Sequence, residues 1–180
     1  MATLLVNVAD GQLAQSTPCP ASCVGDLVDH VRTLTIGFTA VASKDVDGTE
    51  KPSTPSVHNL QPGWRERIIG DLVALADAWR DPAAWQGMTS AASVPLPGEV
   101  AGLVALDELI VHGWDIAVAT GQPFAPSEEE IDAAMSFVVA FDAPRDGNLF
   151  GPIVDTADSA PPWDRLLGLT GRDRNWSPAR

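Results

Sequence analysis

The apolar positions of the chain fall into four stretches at helical spacing, separated by segments rich in Pro, Gly and Ser. In Val24–Ala42, the residues Val24, Leu27, Val28, Val31, Leu34, Phe38 and Val41 share one broad face, which predicts a helix of about five turns. Ser22 is its candidate N-cap, and Asp26 lies in the first turn at the positive end of the dipole. A second period runs from about Gly63 to Trp79 through Trp64, Ile68, Leu72 and Leu75, and is stopped by the Asp81-Pro82 step. The third, from about Gly98 to Thr120, is apolar almost all round; Pro97 fits its first turn, and Gly121 with Pro123 marks its end. It should be the most buried element. The fourth starts after Ser127, a strong N-cap followed by Glu128, Glu129 and Glu130, and runs to about Ala140.

The intervening segments sharpen this picture. MATLLVNVA at the start predicts one short helix broken by Asp10-Gly11, and PPWDRLLGLTG near the end predicts another that docks Trp163, Leu166 and Leu167. Residues 43–61 lose all periodicity and form a long loop, a candidate lid over a site. No stretch alternates as a strand would. The expected fold is all-α: an antiparallel four-helix bundle forming one domain over residues 1–180, with 143–180 packed on it as a loop-rich extension.

A length of 180 residues with 45% hydrophobic content is enough to bury a core without disulfides or a structural metal. Against 24 acidic residues there are 11 Lys and Arg, a net charge of −13, so nucleic acid and anionic membranes are disfavoured as partners. No apolar run reaches the roughly 18 to 20 residues of a membrane span, and the N-terminus lacks the pattern of a secretory signal, so a cytoplasmic location is expected. The two cysteines, in CPASC, would close only a tiny disulfide loop and read as small buried thiols.

Residues 105–123, ALDELIVHGWDIAVATGQP, carry the most chemistry. Glu108 and His112, at i and i+4, stack on one helix face, either as an ordinary polar pair or as half of a metal site. Trp114 is assigned to another face, as packing. Of the three histidines, His30 lies within the Val24–Ala42 helix beside its apolar face and offers a third ligand. A His, Glu, His set suits Zn²⁺, Ni²⁺, Fe²⁺ or Mn²⁺ and leaves coordination positions open, as in catalytic sites. The alternative is a hydrogen-bonded core histidine with no metal. Asp26 and Asp115 are each spaced to accept the second N–H of an imidazole. His58, in the long loop, is either solvated or a proton shuttle, and Arg65, Arg67 and Arg80 would bind an acidic substrate only if they faced the site.

Three segments, STPCPASCVGDLVDHV, VALDELIVHGWDIAVATGQP and LFGPIVDTADSAPPWDRLLGLTGRDRNW, resemble an actinobacterial branch of the DinB-like superfamily, the group named after the metal-binding domain of mycothiol-dependent maleylpyruvate isomerase. The resemblance implies a four-helix bundle with a divalent metal, usually zinc, held by His30, Glu108 and His112. It also implies that the metal activates the thiol of mycothiol, or of a similar low-molecular-weight thiol, for transfer or isomerisation. Two departures stand out. The isomerase has a second domain for which 180 residues leave no room, and Ala21-Ser22 replaces the Trp that the family carries after TPCP. The short stretch before Ser16 adds the expectation of a homodimer that covers an exposed bundle edge.

Three functional classes follow. The first is a thiol-dependent transferase or isomerase acting on a small electrophile. The second is a metal-dependent hydrolase or lyase that needs no thiol, and the third a metal or small-molecule binding protein without turnover.

Overall fold

The computed structural model describes residues 1–20, 22–45, 53–145 and 149–178. Among the described residues there are six α-helices: α1 (Ala2–Asn7), α2 (Val24–Ser43), α3 (Trp64–Ala78), α4 (Gly98–Thr120), α5 (Glu128–Ala140) and α6 (Pro162–Leu169). Helices α2 to α5 pack as a bundle, α2 against both α3 and α4, and α4 against α5. The short α1 lies on α3 and α4, and α6 extends the assembly from α5. Among the described residues, no helix is long and apolar enough to cross a membrane.

Helix α4 contributes to every part of the core, as its nearly continuous apolar sequence requires. Its C-terminal residues Ile116, Ala117 and Ala119 pack with Leu4, Leu5, Val28 and Ile68. Its middle, Ile110 and Val111, meets Ala134 and Val138 of α5 together with Phe150 and Leu166. Its first half supplies Ala101 and Ala105 to a cluster with Phe38, Val41 and Leu75. Full burial of one such Leu, Ile or Phe is worth roughly 1.5–3 kcal/mol, so these contacts fix which face of α2 looks at α4.

Helix ends follow local chemistry. Ser127 Oγ accepts the Glu130 N–H while Glu130 accepts the Ser127 N–H, a reciprocal cap that stops α5 from fraying. The start of α2 differs from the expectation by one residue. Cys23, not Ser22, is the N-cap, because Asp26 accepts the Cys23 N–H at 3.0 Å and supplies the cap from inside the helix. Pro97 likewise caps α4 from just outside rather than sitting in its first turn.

One element was not expected. Met88–Ala91 (β1) and Val94–Pro97 (β2) form an antiparallel hairpin, Thr89 facing Leu96. Its two-residue turn places Ala92 and Ser93 at φ 48° and 67°, a conformation usually announced by Asn or Gly. Pro95 and Pro97 further disguise β2, which survives because a two-stranded ribbon leaves one edge of each strand unpaired. Thr89 Oγ1 donates to the Val41 carbonyl at 2.9 Å and moors the hairpin to the end of α2.

The long loop is only partly described: residues 46–52 lie outside the described residues, and with them the central part of the candidate lid. The following segment is tied down. Asp26 accepts the Val57 N–H at 2.8 Å, and the fully buried Asp29 accepts from Ser56 N and Asn59 Nδ2 at 3.0 and 2.7 Å.

Glycine packing yields a paired test. A Cβ on Gly102 would come within 2.5 Å of the Trp85 ring and 2.9 Å of Trp79, whereas one on the exposed Gly70 would meet nothing within 4 Å. Gly102→Ala is expected to destabilise by about 1–3 kcal/mol, as overpacked cores do. Gly70→Ala should stabilise by roughly 0.5–1 kcal/mol, in line with helix propensity. Urea unfolding of both variants reads the two signs.

Candidate metal centre

The packing of α2 on α4 brings His30, Glu108 and His112 together. Their ligand-type atoms all lie within 4.8 Å of one another. Glu108 Oε2 is the hub, 3.1 Å from His112 Nε2 and 3.7 Å from His30 Nε2. The two imidazoles stand edge to face, centroids 4.9 Å apart at 83°. Side-chain exposure falls from 29% at His30 to 12% at Glu108 and 10% at His112, so the cluster opens to solvent on the His30 side.

A second layer holds His112 in place. Its Nδ1 pairs with Asp115 Oδ2 at 3.0 Å, which directs Nε2 to the cluster. Asp115, fully buried, is in turn clasped by Arg172, whose Nη2 donates to Oδ2 at 2.9 Å and Nε to Oδ1 at 3.4 Å. Arg172 Nη1 donates to the Thr170 carbonyl at 2.7 Å. Arg172 thus reaches the candidate site from the segment just after α6.

Electrostatics follow from this chain of contacts. Burial opposes charge on His112, but its bonds to Asp115 and Glu108 outweigh that and push its pKa up to about 10. Burial likewise opposes the Glu108 carboxylate, yet the two imidazoles of His112 and His30, at 3.1 and 3.7 Å, hold its pKa far below the usual range. Asp107, one residue away and 2% exposed, behaves oppositely. Burial first, then the charge of Glu108, raises its pKa to about 7 despite Arg172 and His112. Its Oδ1 has no hydrogen-bond partner among the described residues.

Beside the cluster is a small recess with room for about one water-sized group, lined by Asp107, Glu108 and His112 on the polar side, Val111, Leu149 and Phe150 on the apolar side, and Arg172.

Several residues considered from the sequence lie elsewhere. Asp26 caps α2 and binds Val57 rather than His30, because the start of α2 needs an acceptor for the Cys23 N–H. Arg65 donates to Val8 O and Asp10, Arg67 to Gln61 O, and Arg80 pairs with Asp77, so none of the three turns to the cluster. His58 is exposed in the short turn Val57–Asn59. Cys19 and Cys23 are free thiols, half-buried, and the Cys23 thiol lies 3.0 Å from Asp26 Oδ2. Trp114 is buried as packing. Arg172 and Asp107 were missed. A clue to Asp107 was present, since an acid in a helix that is apolar almost all round has to be paired or functional.

Fold and cluster together define a DinB-like helical bundle with a His/Glu cluster of the kind that could hold a divalent metal. The chain belongs to the family described as the mycothiol maleylpyruvate isomerase N-terminal domain, which matches residues 1–117 and so takes in His30, Glu108, His112 and Asp115 but not Arg172. It is also similar to two proteins of Mycobacterium tuberculosis, the uncharacterized protein MT0763 of strain CDC 1551 / Oshkosh and the uncharacterized protein Rv0738 of strain ATCC 25618 / H37Rv. Each is 30% identical over 183 residues, covering 95% of this chain and 91% of the relative. No solved structure gives a significant match.

The charged chain makes two predictions. Arg172→Ala leaves Asp115 buried without its guanidinium and should cost about 3–5 kcal/mol of stability in denaturant unfolding. The second concerns pH in chelator-treated protein. A histidine whose folded pKa stands above its unfolded value of 6.5 contributes fully below that value and loses the contribution as pH rises toward about 10. The denaturation midpoint should therefore fall across that window, and His112→Gln should flatten the fall.

Proposed function

We propose that the protein binds one divalent metal, zinc in the first instance, through His30 Nε2, Glu108 and His112 Nε2, and that this centre activates a low-molecular-weight thiol of the mycothiol kind. The activated thiol is then transferred to a small electrophilic substrate, or assists its isomerisation. The observation that carries this reading is the convergence of three ligand atoms from two helices within 4.8 Å. Membership of a family described by mycothiol maleylpyruvate isomerase supports the thiol.

The residues present fit such a metal. Two imidazoles and one carboxylate make a mixed nitrogen and oxygen donor set of the type that leaves positions open for a reactant. Bound there, a divalent metal supplies Lewis acidity that favours the deprotonated form of a thiol. The chain's own groups do the rest. Asp115 keeps the Nδ1 proton of His112 on the far side of the ring, so that Nε2 is the coordinating atom. Arg172 balances Asp115 and prevents it from swinging toward the cluster. Val111, Leu149 and Phe150 limit the water that would compete with the thiol for an electrophile. The less buried His30 marks the side from which reactants enter.

The test is elemental analysis of protein purified without chelator or tag-derived metal, alongside His30→Ala and His112→Ala. About one metal per chain in the wild type, lost from both variants, is the expected outcome. Thiol-dependent consumption of an electrophile by the loaded protein should follow. Absence of stoichiometric metal, with no uptake of added Zn²⁺, Ni²⁺ or Mn²⁺, would overturn the proposal. Metal-dependent turnover that ignores added thiol would replace it with a hydrolase or lyase.

A further inference from the structure

Beside the cluster, one buried acceptor has no hydrogen-bond partner among the described residues. It is Oδ1 of Asp107, a residue only 2% exposed. The hydrogen bonds of the neighbouring donors go to other groups. Arg172 gives Nε and Nη2 to Asp115 and Nη1 to the Thr170 carbonyl. His112 is held between Asp115 and Glu108. An unpaired buried carboxylate oxygen costs stability, and the apolar remainder of the recess provides no donor.

We infer that Asp107 is the specificity-determining residue of this recess, its Oδ1 accepting a hydrogen bond from an N–H or O–H group carried by the thiol close to its sulfur. The inference rests on the thiol reading above and adds to it a substrate class: short thiol arms that carry a donor, in preference to purely apolar thiols. Size sets the word short. Asp107 and Glu108 are adjacent on α4 and line the same recess, which has room for little more than one water-sized group, so only a donor a few bonds from the sulfur can enter it. Glu108 is unsuited to the task because both imidazoles already face its Oε2.

Cobalt-substituted protein gives a readout independent of turnover, since a bound thiolate produces a charge-transfer band in the near ultraviolet. Wild type, Asp107→Leu and Asp107→Asn are titrated with 2-mercaptoethanol, cysteamine and ethanethiol. Wild type should bind the first two several-fold, up to about tenfold, tighter than ethanethiol, the range expected for one hydrogen bond. Asp107→Leu should erase that preference and should melt no lower than wild type. Asp107→Asn, which keeps an acceptor oxygen, should retain part of the preference for 2-mercaptoethanol. A band that forms with all three thiols equally, or whose preference survives in Asp107→Leu, overturns the inference while the thiol reading stands. No band with any thiol overturns both. A melting temperature for Asp107→Leu well below wild type, with Asp107→Asn also lowered, makes Asp107 a structural residue and overturns the inference.

Discussion

A chain of ionisable side chains runs through the molecule from α2 to the C-terminal segment: His30, Glu108, His112, Asp115 and Arg172, each within reach of the next. Such a chain can be buried only if every member is paired, because an isolated charge in a poorly solvated interior costs several kcal/mol. This constraint ties three parts of the fold together. If α2 slid along α4, His30 would leave Glu108; if the segment after α6 lifted, Asp115 would lose its guanidinium. The hydrophobic contacts of α4 hold the helices at the right distance, and the polar chain fixes their register.

The same arrangement separates support from chemistry. At the inner end, Asp115 and Arg172 are committed to each other and to His112, which leaves little freedom for either. At the outer end, His30 is the most exposed of the three cluster residues and Glu108 presents one oxygen to two imidazoles. A rigid interior behind an accessible face is the arrangement that metal sites with a reactant position require. The hairpin and the tethered loop stand apart from this function. They are held to α2 by Thr89, Asp26 and Asp29, and cover helix surfaces that would otherwise face water.

Much of the fold was legible because helices announce themselves locally. The apolar period of α2, the Ser127 cap of α5 and the Gly121 stop of α4 each act within a few residues. The hairpin was illegible for an equally local reason: Ala92 and Ser93 occupy positive φ without the residues that normally signal it, and two prolines sit in β2. Pairing of Glu108 with His112 could be read from spacing, whereas the same spacing logic misassigned Asp26, since an acid one turn from a histidine has other claims on it at a helix start.

The sequence by itself determined the helical period, the helix ends and the presence of an acid and a histidine on one face of α4, because these depend on neighbours within a turn or two. It also determined, by the resemblance its motifs carry, that His30 belongs with them. Only the tertiary structure decided that Arg172, 57 residues from Asp115, closes the polar chain, and that the Oδ1 of Asp107 is left without a partner. Burial and pairing of charges are properties of the assembled interior, where distant segments exclude water together, and no local pattern encodes them.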